Sequence, residues 1–196
     1  MKRLLLGTRN TGKVQEITTI LAGAGWVFSS LQEFPLVGPA AEDGVTYAEN
    51  AIAKAQFYAA ATGLLALADD SGLEVAALDG APGVYSARYA GEGASDAERR
   101  KLLLSELSKV NSRDRRARFV AAVAIARPDG TVLNLSEGTC EGMIIFESRG
   151  AGGFGYDPLF VPEGYDQTFA ELSDEIKNRI SHRARALLRT RQFLTS

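Results

Sequence analysis

Residues 64–72 read LLALADDSG, an apolar run that leads directly into two aspartates, a serine and a glycine. The apolar part predicts a buried β-strand, and the polar part predicts that this strand ends there in a turn. Because open α/β sheets bind ligands at the carboxyl ends of their strands, the junction is a candidate site. Side chains alternate along a strand, so Asp69 and Asp70 are expected on opposite faces unless the turn begins between them. The alternative is an ordinary β-turn that Asp opens and Gly closes.

The sequence on either side of this segment predicts a mixed α/β sheet. Helices alternate with strands in the first half, and hairpin-like strands dominate the second half. Strands are predicted at residues 4–7, 64–68, 119–126, 131–136, 140–146 and 159–161. Helices are predicted at residues 13–24, 47–62 and 96–110, and from about residue 173 onwards with a break near Ser181. The second and third helices begin with capping boxes, formed by Thr46 with Glu49 and by Ser95 with Glu98. A glycine-bearing loop at residues 78–94 is the candidate hinge.

Composition limits the classes of function. A chain of 196 residues suits one domain or two small lobes that share a core. The net charge of -2 and the pI of about 5.6 exclude a global basic field that would attract nucleic acid. The single cysteine, Cys140, excludes an internal disulfide and fits a reducing compartment. The N-terminal apolar run breaks at Gly7, which is too early for a signal peptide or a membrane span. We therefore expect a cytoplasmic protein with no nucleic-acid or membrane partner.

The first polar segment, Thr8-Arg9-Asn10-Thr11-Gly12-Lys13, joins the first strand to the first helix. Backbone amides at a helix N-terminus favour a phosphate, and Lys13 adds a positive charge. The segment lacks the spacing and the hydroxyl residue of a P-loop. It fits equally well a capped strand–helix turn in which Asn10 or Thr11 is the cap and Lys13 faces solvent.

The second polar group adds Glu42, Asn50 and Lys54 to the two aspartates. Asn50 and Lys54 are four residues apart on the predicted helix, so they share a face. Such a face is usually turned to water. A Mg²⁺ ion typically takes one or two protein carboxylates together with substrate phosphates, and Glu42 with Asp70 would supply that number.

The third polar group is the glycine-rich stretch Gly150-Ala151-Gly152-Gly153-Phe154-Gly155-Tyr156-Asp157-Pro158. Glycine lets the backbone approach a flat ligand closely, and an exposed aromatic ring offers a stacking face. The alternative is a flexible surface loop with Phe154 packed into the core. His182 is the only histidine, and a lone histidine is more often a packed residue than a catalyst or a ligand.

These motifs form part of an ordered set that resembles one known family. The set consists of TRNTGK at 8–13, Glu49-Asn50-Ala51 with Lys54, DDSGL at 69–73, GAPGVYSAR at 80–88, GGFGYDP at 152–158, and Lys177 with Ser181-His182-Arg183. In this order they resemble the inosine triphosphate pyrophosphatase family from residue 8 to residue 183. Each motif is weak alone, but the ordered set is highly specific.

The resemblance implies an elongated, two-lobed mixed-sheet fold with a central substrate cleft, as a single domain over residues 1–196. It implies a homodimer. The implied reaction is the Mg²⁺-dependent hydrolysis of ITP, dITP and XTP to the nucleoside monophosphate and pyrophosphate. Such a reaction would remove deaminated purines from the nucleotide pool.

The resemblance also implies a role for each matching residue. Glu42 and Asp70 would hold Mg²⁺, and Asp70 would be the catalytic residue that activates water. The residues implied in substrate binding are Thr8, Arg9, Asn10, Thr11, Gly12, Lys13, Lys54, Ser71, Phe154, Gly155, Tyr156, Asp157, Lys177, His182 and Arg183.

Physical chemistry agrees with these roles. An aspartate with the ordinary pKa of about 3.9 is a poor base at neutral pH. Repulsion from Asp69 would raise the pKa of Asp70, and a bound Mg²⁺ would oppose that rise. Lys177 and Arg183 are donors only, so they would favour the 6-oxo group of hypoxanthine or xanthine over the amino group of adenine. Guanine also carries a 6-oxo group, and a clash at its 2-amino group is one way to exclude it.

Other functions stay open at this point. A hydrolase of damaged or pyrimidine nucleotides would share the phosphate and metal groups but would not need Lys177 and Arg183. A nucleotide sensor that binds without turnover would not need Asp70. A nucleic-acid binder is the weakest alternative because the chain carries no net positive charge.

Overall fold

The computed structural model describes residues 2–196, so Met1, the first residue of the predicted 1–196 domain, lies outside the described residues. Strands and helices alternate through most of the chain. The strands are β1 (Lys2–Leu6), β2 (Trp26–Ser30), β3 (Ala66–Val75), β4 (Arg116–Ala126), β5 (Val132–Ile144) and β6 (Phe160–Pro162). The helices are α1 (Thr11–Ile20), α2 (Tyr47–Thr62), α3 (Asp96–Lys109), α4 (Asp174–Ile180) and α5 (His182–Thr195).

The six strands form one mixed sheet in the order β2-β1-β3-β4-β5-β6, which confirms the predicted fold class. Strand β1 pairs in parallel with both β2 and β3, and β5 pairs antiparallel with β6. Parallel neighbours need crossover connections, and α1 and α2 supply them. The strands predicted at residues 119–126 and 131–136 are joined by a tight turn, in which the Arg127 amide donates to the Thr131 carbonyl at 2.9 Å.

Strand β3 differs from its prediction in one important respect. It continues to Val75, so Asp69 and Asp70 lie inside the strand and the turn predicted at residues 71–72 is wrong. Both carboxylates have cationic partners, so the charges do not force the strand to end. The predicted opposite orientation of the two side chains is confirmed, since Asp69 contacts α1 and α5 whereas Asp70 contacts α2.

Strand β5 is one continuous strand, although two strands were predicted at residues 131–136 and 140–146. Gly138 lies in the gap between the two predicted strands. A Cβ added there would lie 2.3 Å from the His182 carbonyl oxygen and 2.6 Å from the Ala186 amide nitrogen. Glycine therefore lets the backbone of α5 pack directly on this strand.

Local capping signals predict the helices well. Thr46 with Glu49 caps α2 and Ser95 with Glu98 caps α3, as predicted, and Gly63 ends α2 in the left-handed region at φ 70°. Helix α1 is shorter than predicted. The predicted loop at residues 78–94 contains a short 3₁₀ helix at Gly83–Arg88. Among the helices of residues 2–196, none combines the length and the hydropathy that a membrane span needs.

The chain divides into two compact units. The first contains the residues up to Asp70, Ala121–Gly138 and His182–Ser196, and the second contains Ser71–Val120 and Thr139–Ser181. Side chains of β1, β3, α1 and α5 form the main core of the first unit, and Leu5 and Ala66 pack with Tyr58 of α2 in a smaller core. Three aromatic rings at the centre of the second unit lie 4.7 to 6.0 Å apart, those of Phe119, Phe160 and Phe169.

Candidate active site

Asp70 lies at the centre of a buried polar cluster in the first unit. Its Oδ1 accepts a hydrogen bond from Lys54 Nζ at 2.7 Å, and its Oδ2 accepts one from Asn50 Nδ2 at 3.2 Å. Lys54 Nζ also lies 3.0 Å from Glu42 Oε1. Asn50 and Lys54 do share a face of α2, as predicted, but this face is buried rather than turned to water. One ammonium group thus joins two carboxylates.

The segment that carries Glu42 is fixed by Asn50. The Gly44 amide donates to Asn50 Oδ1 at 2.8 Å, and Asn50 Nδ2 is 3.4 Å from the Gly44 carbonyl oxygen. A Cβ added to Gly44 would lie 2.7 Å from Asn50 Oδ1, so glycine allows this close approach. Asn50 therefore binds Asp70 directly and also holds the backbone two residues after Glu42.

The donor set around Lys54 fits a magnesium ion. Glu42 and Asp70 provide two carboxylates with hard oxygen ligands around one point. Mg²⁺ usually takes one or two carboxylates from a protein, and phosphates and water complete its shell. Within residues 2–196 no group of three or more histidine, cysteine or acidic side chains could form a complete metal cage.

Burial raises the pKa of Asp70 above its ordinary value. Lys54 opposes this rise, whereas the negative charge of Glu42 adds to it. The sequence-based prediction had the correct direction but a different cause, namely repulsion from Asp69. That residue projects from the other face of β3 and has its own cations. The pKa of Lys54 is raised, because its three acidic neighbours outweigh the effect of burial.

Asp69 belongs to a second buried cluster. Its Oδ2 accepts hydrogen bonds from Lys13 Nζ at 2.9 Å and from Arg183 Nε at 3.1 Å. Arg183 is 2% exposed and also donates through Nη1 to Glu16 Oε2 at 2.5 Å. Burial alone would raise the pKa of Asp69, but Lys13 and Arg183 hold it well below its ordinary range. Through these contacts Asp69 joins α1 to α5.

The segment at residues 8–13 forms a tight turn at the start of α1. Asn10 is the cap, and its Oδ1 accepts from the Lys13 amide at 3.0 Å. Thr8 Oγ1 accepts from the Asn10 amide at 3.2 Å, and Arg9 donates to the Val37 carbonyl at 2.7 Å. Thr11 is exposed and Gly12 is half-buried. The Lys13 side chain contacts Asp69, whereas the capped-turn alternative placed it in solvent. Burial lowers the pKa of its ammonium.

The glycine-rich segment and Lys177 form a separate cluster in the second unit. Lys177 Nζ lies 2.6 Å from Asp157 Oδ2 and 4.7 Å from the ring centroid of Phe154. The Phe154 amide donates to the same Asp157 oxygen at 2.9 Å. Phe154 is half-buried, so it is neither a core residue nor a fully exposed platform. Tyr156 is buried and donates its hydroxyl to the Ser86 carbonyl at 2.9 Å.

Gly153 shows why this segment is rich in glycine. Its φ is 68°, and a Cβ there would lie 2.2 Å from Asp157 Oδ2. The glycine therefore makes room for a protein carboxylate, and this carboxylate binds Lys177.

The remaining predicted residues lie near these clusters. Ser71 follows Asp70 in β3, and His182 is buried at the start of α5. Lys177 and Arg183 were predicted as hydrogen-bond donors to the base. In the structure each of them binds a protein carboxylate, Asp157 and Asp69 respectively. Lys177 belongs to the second unit and Arg183 to the first.

The sequence assigned no role to several residues that support the clusters. Glu16 holds Arg183, and its only signal is a position three residues after Lys13 on the same helix. Asp96 and Arg100 contact the glycine-rich segment from α3, and the capping pattern there indicates only a helix start.

Buried lysines and carboxylates gathered on adjacent elements of a mixed α/β sheet are typical of the active sites of α/β enzymes. The model of the Ham1 family matches residues 4–193, so the chain belongs to the Ham1 family. It is 53% identical over 192 residues to a dITP/XTP pyrophosphatase of Desulforamulus reducens, a match that covers 98% of this chain and 95% of the relative. A dITP/XTP pyrophosphatase of Thermus thermophilus is 52% identical over 186 residues, or 94% of this chain and 88% of the relative.

A solved structure agrees with these relatives. The structure of a HAM1 protein from Coxiella burnetii matches with a TM-score of 0.91 and 43% identity, covering 100% of this chain and 99% of that one. The family predicted from the ordered motifs is thereby confirmed.

Proposed function

We propose that this protein hydrolyses the altered-base purine nucleoside triphosphates ITP, dITP and XTP to the nucleoside monophosphate and pyrophosphate. Mg²⁺ is the proposed cofactor. The main support for this proposal is the buried Lys54 ammonium, which lies 2.7 Å from a carboxylate oxygen of Asp70 and 3.0 Å from one of Glu42. The names of the relatives, dITP/XTP pyrophosphatase, support the same reaction and the same class of base.

The proposed chemistry begins with water and Asp70. Cleavage between the α and β phosphates needs a water in line with the leaving pyrophosphate. Its proton passes to a carboxylate oxygen of Asp70 as the water oxygen bonds to the α phosphorus and the bridging oxygen leaves with pyrophosphate. Because burial raises the pKa of Asp70, this carboxylate is a better proton acceptor than an exposed aspartate. Mg²⁺ held by Glu42 and Asp70 would make water more acidic and neutralise phosphate charge.

The first unit supplies the groups proposed to bind the triphosphate. Residues 8–13 place backbone amides and Lys13 at the start of α1, where the helix dipole favours an anion. Lys54 adds a second ammonium. Charge on the departing pyrophosphate is neutralised by such preorganised cations.

Phe154 and Lys177 are the groups proposed to bind the base. The Phe154 ring offers a stacking face, and the ammonium of Lys177, which also binds Asp157, would donate to a 6-oxo group that adenine lacks. A site built around such a hydrogen bond discriminates by about 10⁴ or more. The family resemblance adds residues to this proposal: Ser71, Gly155, Tyr156, Asp157, His182 and Arg183.

The proposal extends to a cytoplasmic homodimer. A single buried cysteine, Cys140, is consistent with a reducing compartment. Light scattering of the purified protein, together with fractionation of cells that express it, tests both points.

Product analysis in ¹⁸O-water tests the proposed reaction. The protein is incubated with Mg²⁺ and each of dITP, ITP, XTP, GTP, ATP and dTTP. Expected products are pyrophosphate and a monophosphate that carries the label, only from dITP, ITP and XTP. Labelled pyrophosphate would move the attack to the β phosphorus. Orthophosphate, dTTP cleavage or binding without turnover would select one of the other functions.

A further inference from the structure

The backbone of Gly155 is bound on both sides by side chains of helix α3. The Gly155 amide donates to Asp96 Oδ2 at 2.7 Å, and its carbonyl oxygen accepts from Arg100 Nη1 at 2.7 Å. Asp96 and Arg100 are four residues apart on α3, so both side chains lie on one face of the helix. Both polar groups of one residue in a glycine-rich segment thus have charged partners.

The side chain of Asp96 is itself held in place. Arg99 binds its other carboxylate oxygen. Arg99 also donates to the carbonyl oxygens of Ala87 and Ala94, at 2.6 and 2.8 Å. The carboxylate therefore reaches Gly155 from a preorganised position.

Phe154 lies directly before Gly155 in the chain. Its amide donates to Asp157 Oδ2, the oxygen that also binds Lys177 Nζ at 2.6 Å. Gly155 has φ 61°, so the chain turns sharply just after Phe154. A shift of the Gly155 backbone would therefore also move the Phe154 ring beside the Lys177 ammonium.

We infer that Asp96 and Arg100 are positioning residues that set the affinity for the purine base. They act by fixing the Gly155 peptide, and hence Phe154, rather than by contact with the substrate. The inference rests on the proposed function, because it assigns Phe154 and Lys177 to the base. Loss of either side chain weakens binding of the base and leaves the residues that bind the triphosphate unchanged.

Steady-state kinetics with dITP separates this role from a structural one. Asp96→Ala and Arg100→Ala are expected to raise KM by about tenfold or more, the scale of one hydrogen bond to a charged group, with kcat within about threefold of wild type. The inhibition constant of inorganic triphosphate, which carries no base, is expected to stay within about twofold. Asp96→Asn keeps an acceptor oxygen and is expected to recover most of the loss.

Two control variants lie on the same helix. Glu98→Ala removes the capping box of α3 without touching Gly155, and Lys101→Ala removes an exposed cation next to Arg100. Both are expected to keep the wild-type KM for dITP. If Glu98→Ala raises KM as much as Asp96→Ala does, helix stability rather than positioning is responsible and the inference fails.

The Gly155 amide resonance gives a readout besides activity. In a ¹H–¹⁵N spectrum it is expected to shift in Asp96→Ala and to stay in place in Glu98→Ala. The inference is overturned, and the proposed function is not, if the wild type is active and Asp96→Ala and Arg100→Ala keep the wild-type KM. The same holds if the two variants raise the inhibition constant of inorganic triphosphate as much as they raise KM. A wild type that hydrolyses neither dITP nor XTP overturns the proposed function, and this inference with it.

Discussion

Lys54→Met removes the ammonium that two carboxylates share and keeps most of the side-chain volume. Lys54 Nζ lies 2.7 Å from Asp70 Oδ1 and 3.0 Å from Glu42 Oε1, and Asp70 is only 5% exposed. Removing one partner of a buried pair leaves an uncompensated charge, which typically costs about 3–5 kcal/mol. Asn50 still donates to Asp70 and Glu42 is partly exposed. We therefore expect a loss near the lower limit, about 3 kcal/mol in the free energy of unfolding.

Guanidinium chloride unfolding of a double-mutant cycle measures this loss. The cycle combines Lys54→Met with Asp70→Asn in EDTA, so that no divalent cation replaces the ammonium. Because the double variant has no buried carboxylate at position 70, its cost should be smaller than the sum of the single costs by at least about 1 kcal/mol. Lys109→Met is the matched control. Lys109 lies 2.7 Å from Glu106 but is 64% exposed, so its loss should be below about 1 kcal/mol. Additive single costs, or an equal loss in the control, would refute the reasoning.

The base-binding role proposed for Arg183 predicts that Arg183→Lys lowers the preference in kcat/KM for ITP over ATP by about tenfold or more, because one ammonium cannot replace the guanidinium fork that binds Asp69 and Glu16. An unchanged ratio would remove Arg183 from base recognition. Gly138→Ala is expected to cost about 2 kcal/mol or more in thermal unfolding, since its Cβ would lie 2.3 Å from the His182 carbonyl oxygen. Gly38→Ala, where a Cβ meets nothing within 4 Å, should be nearly neutral, and equal losses would contradict this account. Partial burial of Asp96 is outweighed by hydrogen bonds from a guanidinium and a backbone amide, so its pKa is lowered in the fold. Its ionised form stabilises the fold above the unfolded pKa of about 3.9, and this contribution is lost as the pH falls. The Tm difference between wild type and Asp96→Asn should therefore shrink from about pH 6 to about pH 3, and a constant difference would contradict the assigned pKa.

Helix boundaries were predictable because their signals are local. A hydroxyl residue followed three positions later by a glutamate caps a helix wherever it occurs, and both predicted capping boxes are present. The left-handed Gly63 is likewise a local signal for a helix end.

Strand boundaries depended on contacts that are distant in sequence. Asp69 and Asp70 indicate the end of a strand only while their partners are unknown. Lys13, Lys54 and Arg183 compensate both charges and allow β3 to continue. Gly138 indicates a break only while the backbone of α5 is unknown. In both cases tertiary packing overrides a local preference.

The candidate site was predictable as a set of residues but not as a set of pairs. Asp70 with Lys54 and Glu42 forms one cluster, which the shared helix face of Asn50 and Lys54 already suggested. The pairing of Arg183 with Asp69 was not predictable, because 114 positions separate the two residues and no periodic pattern connects them.

The most direct test of the central claim is turnover by Asp70→Asn. If Asp70 accepts the proton of the attacking water, kcat with dITP should fall by about 10³-fold or more. The Kd for a non-hydrolysable α,β-methylene analogue of ITP, measured by calorimetry in both proteins, should stay within about tenfold because the lysines remain. A variant that turns over dITP at a rate close to that of the wild type would contradict the role of Asp70 and the reaction built on it.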